Sequence, residues 1–258
     1  LIARGNGRAY GDAALNADCT LSLLRLDRLL AFDPATGRLT CEAGVLLADL
    51  LALFVPRGWF PPVTPGTKFV TIGGMIAADV HGKNHHAGGS FGGFVETLDL
   101  LTADGTVVTC SRQQTADLFR ATVGGMGLTG IILTATFCLF PIQTAWMRQR
   151  TLTAGNLDEA MELFEQAKDW TYSVAWIDCL ARGADLGRSL IFCGEHALPE
   201  DLPFDKLGEP LRARAKRRLT MPVFLPSIAL NRWTVKSFNE RYYRRGKSGL
   251  AQTIVDHD

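Results

Sequence analysis

Over the first 140 residues apolar positions recur either every second residue or every third to fourth, in short blocks separated by glycine and proline. Leu30 to Asp33 and Arg38 to Ala43 alternate around a Pro-Ala-Thr-Gly turn, which predicts a β-hairpin. Val45 to Phe54 (VLLADLLALF) has helical spacing and stops near Gly58. Thr71 to Val80 (TIGGMIAADV) predicts a short helix whose paired glycines permit close backbone approach, and HGKNHHAGGSFGG after it is loop by composition. Glu96 to Thr109 predicts a second hairpin turning at Asp104-Gly105. Ala116 to Val123 is helical, and Gly130 to Phe140 (GIILTATFCLF) is long enough and apolar enough for a buried strand.

From Trp146 the pattern changes to strand (MRQRTLTA), helix, strand (YSVAWIDCL), strand (GRSLIFCGE). The helix is placed at Leu157 to Trp170, with Leu157, Met161, Phe164 and Ala167 on one apolar face. A βαββ order of this kind predicts an α+β sheet with helices on one face. The chain therefore divides into residues 1–142 and 143–258. Leu198 to Arg218, rich in Pro, Glu and Arg, is expected to be a surface excursion.

Composition narrows the partners. Among 258 residues, 27 Lys and Arg nearly cancel 26 Asp and Glu, so no global field recruits nucleic acid, and a small molecule is the expected partner. Six cysteines stand singly, with no CxxC pair, and several lie in apolar runs as small hydrophobes; a cytoplasmic, reducing compartment is expected. No apolar run approaches the ~20 residues of a membrane span, and the N-terminus lacks a signal-peptide pattern. Leu1-Ile2-Ala3 reads as the end of a strand, and TIVDHD has no closing element. A fragment at both ends is expected, with the first βα unit missing and the second domain truncated.

Glycines gather in RGNGRAYGD (4–12), TPGTKFVTIGG (64–74) and GGMGLTG (124–130), each where a strand meets a helix or loop. Taken singly, such clusters mark tight turns. Together they can turn freed backbone N–H groups toward one diphosphate. Gly5, Gly7 and Gly11 have the wrong spacing for the nicotinamide-type GxGxxG turn.

RGNGRAYGD, TPGT (64–67), TIGGMIAADVHGKNHHAGGSFG (71–92), LLTADG (100–105) and TVGGMGLTGII (122–132) resemble the FAD-binding, PCMH-type domain of the vanillyl-alcohol-oxidase superfamily. HGKNHH is the most specific of these, and within the superfamily it is similar to the branch that oxidises the ribose of prenyl-phosphoryl sugars at C2. The resemblance implies an α+β fold of two subdomains around FAD, followed by a substrate domain, and an activity on CH–OH groups. Aldonolactone or alditol oxidases of the same superfamily, and a flavin-binding module without turnover, are the alternatives.

Carried over residue by residue, the resemblance implies that Arg4, Gly5, Asn6, Gly7, Arg8, Ala9, Tyr10 and Gly11 wrap the FAD diphosphate. Pro65, Gly66 and Thr67, then Thr71, Ile72, Gly73 and Gly74, continue the cradle. Ala78, Asp79, Val80, His81 and Ile132 approach the flavin. Many relatives bind flavin covalently through a His that aligns with Arg8, so FAD is expected to be non-covalent here. His81 and Lys83 are assigned to catalysis, Lys83 and Trp176 to substrate; a core tryptophan is the other reading of Trp176. Surface histidines or a metal site are the other readings of the His81, His85 and His86 loop, but no carboxylate or Cys stands at ligand spacing, and none is assigned to a metal. The basic runs Arg212, Arg214, Lys216, Arg217, Arg218 and Arg241, Arg244, Arg245, Lys247 read as solvated faces or as a peripheral contact with lipid head groups. The resemblance also implies an epimerising reductase partner, and places the lysine and cysteine of the far pocket wall outside this chain.

Overall fold

The alternating positions between Leu29 and Cys138 build one antiparallel sheet. In the computed structural model, which describes residues 1–212, 231–248 and 253–256, the chain forms two units, Leu1–Ile142 and Gln143–Asp258. The first opens with a parallel pair, β1 (Ile2–Arg4) and β2 (Thr20–Ser22). The first expected hairpin is β3 (Leu29–Asp33) and β4 (Arg38–Glu42), in which Leu39 and Cys41 point inward and are fully buried. Helix α1 (Leu47–Phe54) buries Leu47, Leu50 and Phe54 and stops where expected, at Gly58, after a short 3-10 turn through Pro56. Strand β5 (Trp59–Phe60) leads to α2 (Ile72–Ala77), capped by the Thr71 hydroxyl, which accepts from Gly74 N.

After α2 come one turn, α3 (His85–Gly88), the second expected hairpin β6 (Val95–Leu101) and β7 (Val107–Ser111), α4 (Ala116–Thr122), β8 (Ile131–Cys138) and β9 (Phe140–Pro141). The sheet order is β3-β4-β8-β6-β7: the last long strand inserts between the two hairpins. Its Ala135 and Phe137 join Leu39, Leu98 and Leu100 in one core under α1 and α2.

The second unit is a four-stranded antiparallel sheet, with β10 (Trp146–Ala154), β11 (Tyr172–Ile177), β12 (Ser189–His196) and β13 (Thr253–Asp256) in the order β11-β12-β10-β13. Helix α5 (Leu157–Gln166) starts at Asn156, whose side chain accepts from Glu159 N at 2.9 Å. It packs through Ala160, Leu163 and Ala167 onto Ile191 and Cys193, whereas Leu157, Met161 and Phe164 are exposed. The expected apolar face thus has the right period and, Ala167 apart, the wrong phase, by one residue or ~100°. Two small alanines let the helix backbone approach the sheet, and the larger side chains rotate to the rim.

Beyond α6 (Phe204–Leu207) lies α7 (Arg232–Ser248), a helix the sequence reading did not identify. Its Tyr242 packs edge-on to Trp176, and a Cβ at Gly246 would overlap the side chain of Leu190. Leu190 and Trp176 are paired in register and alternate with Ile191 and Ala175, so α7 covers the face opposite α5. The one-face expectation holds for α5 and not for α7. Of the expected surface excursion, Leu202 is buried against Trp146 and Ala197; Arg214, Lys216, Arg217 and Arg218 lie outside the described residues. Among the described residues, no helix is long and apolar enough to cross a membrane.

Candidate functional site

All three glycine clusters meet at one cleft of the first unit, of about 870 Å³ including its open mouth. One wall is the first loop, from Gly5 to Ala9. Gly5 has no room for a side chain, since a Cβ would overlap the Thr71 hydroxyl. Gly7 is left-handed (φ 63°), and a Cβ there would stand 2.6 Å from the Arg4 guanidinium. The Asn6 side chain donates to Phe69 O at 2.9 Å and the Arg8 guanidinium lies over the Phe69 ring, so the loop is tied to the 68–71 segment. No acceptor among the described residues takes the peptide N–H groups of Asn6, Gly7, Arg8 or Ala9. Consecutive unpaired N–H groups lining a cleft form a donor set for an anion.

The floor is α2, presenting Gly73, Gly74, Ala77 and Ala78. Here the donors are already engaged. Ile72 N donates to Val45 O, Gly73 N to Ala43 O at 2.8 Å, and Gly74 N to the Thr71 hydroxyl. Gly73 is required by close packing, since its Cβ would stand 2.8 Å from that of Ala43. These glycines shape the cleft without adding backbone donors to the expected cradle. The third cluster closes the end: Gly124 N and Met126 N donate to Ile76 O and Ala77 O, the last carbonyls of α2, and Met126, Gly127, Gly130 and Ile132 line the cleft there. Behind the wall, Arg28 donates side-chain and backbone hydrogen bonds to Glu42 and holds its carboxyl below the usual carboxylate range. Gly44 N donates to Leu26 O at 2.7 Å, so the Leu23–Leu26 turn is tied to the same segment.

The cleft thus gathers Gly5, Asn6, Gly7, Arg8, Ala9, Thr71, Gly73, Gly74, Ala78, Val80 and Ile132 of the expected set. Arg4 lies behind Gly7. Tyr10, 98% exposed, and Gly11 are outside the lining, as are Pro65, Gly66 and Thr67, and Ile72 is turned into the core. Asp79 is turned away, its carboxylate accepting from Ser90 Oγ and Gly92 N, each at 2.8 Å. His81 and Lys83 are exposed and outside the lining, in the loop that continues from Val80; the His81 and His85 rings are 5.2 Å apart. Trp176 belongs to the second unit, where it contacts Tyr242. The reading from sequence missed Ala3, Ala13, Ala14, Leu23, Ala43, Val70, Ala77 and Met126, alanines for the most part, whose only signal was small size next to a glycine cluster.

Residues 1–111 match the model of a family described as an FAD binding domain. The whole chain is 40% identical to the decaprenylphosphoryl-beta-D-ribose oxidase of Mycolicibacterium smegmatis, of which it covers 56%. Over 62% of the chain it is 30% identical to mouse L-gulonolactone oxidase, covering 37% of that protein. Over 63% it is 29% identical to the mitochondrial D-2-hydroxyglutarate dehydrogenase of Bos taurus, covering 31%. The chain spans about half the length, or less, of the curated relatives it matches.

Proposed function

We propose, from the match of residues 1–111 to the FAD binding domain model, that this chain is the FAD-holding part of an oxidoreductase that oxidises a sugar hydroxyl, and that the sugar is a prenyl-phosphoryl ribose oxidised at C2. The observation that carries the cofactor is the wall from Asn6 to Ala9: four N–H groups without an acceptor among the described residues, beside glycines with no space for a side chain. The match to the decaprenylphosphoryl-ribose oxidase over the full chain supports the substrate. FAD, when bound, supplies the two-electron acceptor for a carbinol.

The chain's own residues do the rest. The first loop donates to the diphosphate, Arg4 and Arg8 add positive charge behind it, and Ala77, Ala78, Val80 and Ile132 exclude water along the apolar stretch. Lys83, exposed in the loop after Val80, supplies a cation for charge that develops as the hydroxyl is oxidised, and His81 a second donor. Because Arg8 cannot form the covalent link, FAD stays non-covalent. Oxidation at C2 leaves a keto sugar, and a reductase delivering to the opposite face would complete an epimerisation. Arg241, Lys247 and the exposed Trp233 and Phe238 of α7 suit a peripheral contact with anionic head groups.

The matches to L-gulonolactone oxidases favour an aldonolactone as second substrate class. Anaerobic mixing with prenyl-phosphoryl ribose, an alditol and an aldonolactone separates the readings by which one bleaches the flavin. Lys83→Ala is expected to slow that bleaching on the order of 10²-fold while FAD affinity stays near wild type. A variant that loses FAD yet reduces normally in its bound fraction would move Lys83 into the cradle.

A further inference from the structure

The loop from His81 to Ser90 carries four exposed cationic or titratable side chains, His81, Lys83, His85 and His86, yet its backbone is closed at both ends and in the middle. At its entry Asp79 adopts φ 41°, a left-handed conformation costly for a residue with a Cβ. In that conformation its carboxylate reaches across the loop mouth and accepts from Ser90 Oγ and Gly92 N, both at 2.8 Å. Phe91 N donates to Val80 O at 2.8 Å and His81 bridges to Ser90, so the two strands of the mouth are zipped. In the middle, Asn84 is 6% exposed between exposed neighbours. Its Nδ2 donates to Pro62 O at 2.9 Å, and its backbone carbonyl accepts from Ala87 N and Gly88 N. Gly82 and Gly88 flank it so closely that a Cβ on either would stand 2.9 Å from the Asn84 amide. The Oδ1 atom is buried without a protein partner among the described residues.

We propose that Asp79 and Asn84 are positioning residues, two pins that hold the His81–Ser90 loop shut beside the Val80 end of the cleft so that Lys83 and His81 are presented in one conformation. Neither side chain lines the cleft; each acts through the loop. This departs from the expectation that Asp79 approaches the flavin itself, and its consequence for the reaction rests on the FAD reading above. A loop bearing Lys83 and three histidines and fixed only by its ends would sample many arrangements, and a displacement of about 1 Å at a reacting group costs on the order of 10²-fold in rate.

Three variants test the pins. Asp79→Gly removes both carboxylate bonds while relieving the backbone, so it separates strain from hydrogen bonding. Asp79→Asn retains an acceptor for Gly92 N. Asn84→Asp sets an acceptor against Pro62 O, beside an oxygen that already lacks a donor. In the FAD-loaded protein, Asp79→Gly and Asn84→Asp are expected to speed hydrogen exchange at residues 81–90 roughly 10-fold or more. They should slow flavin reduction at saturating substrate on the order of 10-fold to 100-fold, with FAD affinity close to wild type and Asp79→Asn close to wild type in every readout. Unchanged exchange, or a loosened loop with normal reduction, would overturn the proposal. A protein that takes up no FAD would remove the oxidoreductase reading, and exchange in the same variants would still decide the pins.

Discussion

At Gly73 and at Gly7 an added side chain fails for different reasons. A side chain at Gly73 meets Ala43 in the core, so Gly73→Val is expected to cost about 1–3 kcal/mol of stability by overpacking and to lose FAD as a consequence. At Gly7 the side chain would enter left-handed backbone and the space of the Arg4 guanidinium, so Gly7→Ala should lose FAD with about 1–2 kcal/mol of strain confined to the loop. Gly66, which has nothing within 4 Å of a Cβ, is the control, and Gly66→Ala should retain FAD. Absorbance after gel filtration, set beside the melting temperature of each apo variant, separates these cases. Arg8 carries a prediction of its own: acid precipitation should release the flavin into the supernatant, and a washed pellet that stays yellow would contradict it. These glycines were legible in the sequence because the residue type reports directly on space and φ. The alanines of the cleft were not, because a small side chain gives no sign of which way it faces.

Helices were legible by period and not by phase. In α5 a pattern search selects the largest apolar side chains, whereas contact with the sheet selects Ala160 and Ala167. Helix α7 escaped notice because its polar sequence carries no apolar stripe, and what fastens it is an ion-pair network. Arg188 donates through Nε and Nη2 to Asp178 Oδ2, at 3.0 and 2.7 Å, and through Nη1 to Glu240. Asn239 and Leu180 N take Asp178 Oδ1. Burial pushes the Asp178 carboxyl up, but the bonds from Arg188, Leu180 and Asn239 more than offset this and leave it below its ordinary value. A carboxyl depressed on folding stabilises the native state in full above its unfolded value, about 3.9, and that contribution is lost as pH falls through the folded value. Thermal melts of the second unit are therefore expected to drop below about pH 4, and Asp178→Asn should flatten that dependence. Arg188→Ala strands a carboxylate that is 2% exposed and should cost about 3–5 kcal/mol, read by urea denaturation.

On the scale of the molecule, cofactor binding and folding of the first unit are linked. FAD at 100 times its Kd should stabilise that unit by about 2.7 kcal/mol, measurable as slower hydrogen exchange at the core amides of β8. An unchanged core with bound FAD would mean that the β8 amides exchange through an opening that does not release the cofactor. The hairpins and the buried strand of this unit could be read from the chain, since each rests on local alternation. Their order in the sheet could not, because nothing local says that the last long strand goes into the middle.

That insertion of β8 bears on how the chain folds. Both hairpins are local, with the partners nearest each turn, Asp33 with Arg38 and Leu101 with Val107, close in sequence, and can form within microseconds. Joining them requires β4 to find β8, and even the shortest closure in that ladder, Glu42 with Thr134, encloses everything from α1 to α4. Closing so long a loop before any reward arrives makes this docking the expected slow step of a high-contact-order fold. During synthesis, the inner edges of β4 and β6 would wait, unpaired, until residue 138 has cleared the ribosome, and exposed strand edges of this kind are where chains adhere to one another. A polypeptide ending at Ser111, where the family match ends, would lack the strand that makes one sheet out of two hairpins; it should show no cooperative melt, and should associate at concentrations where residues 1–142 stay dispersed.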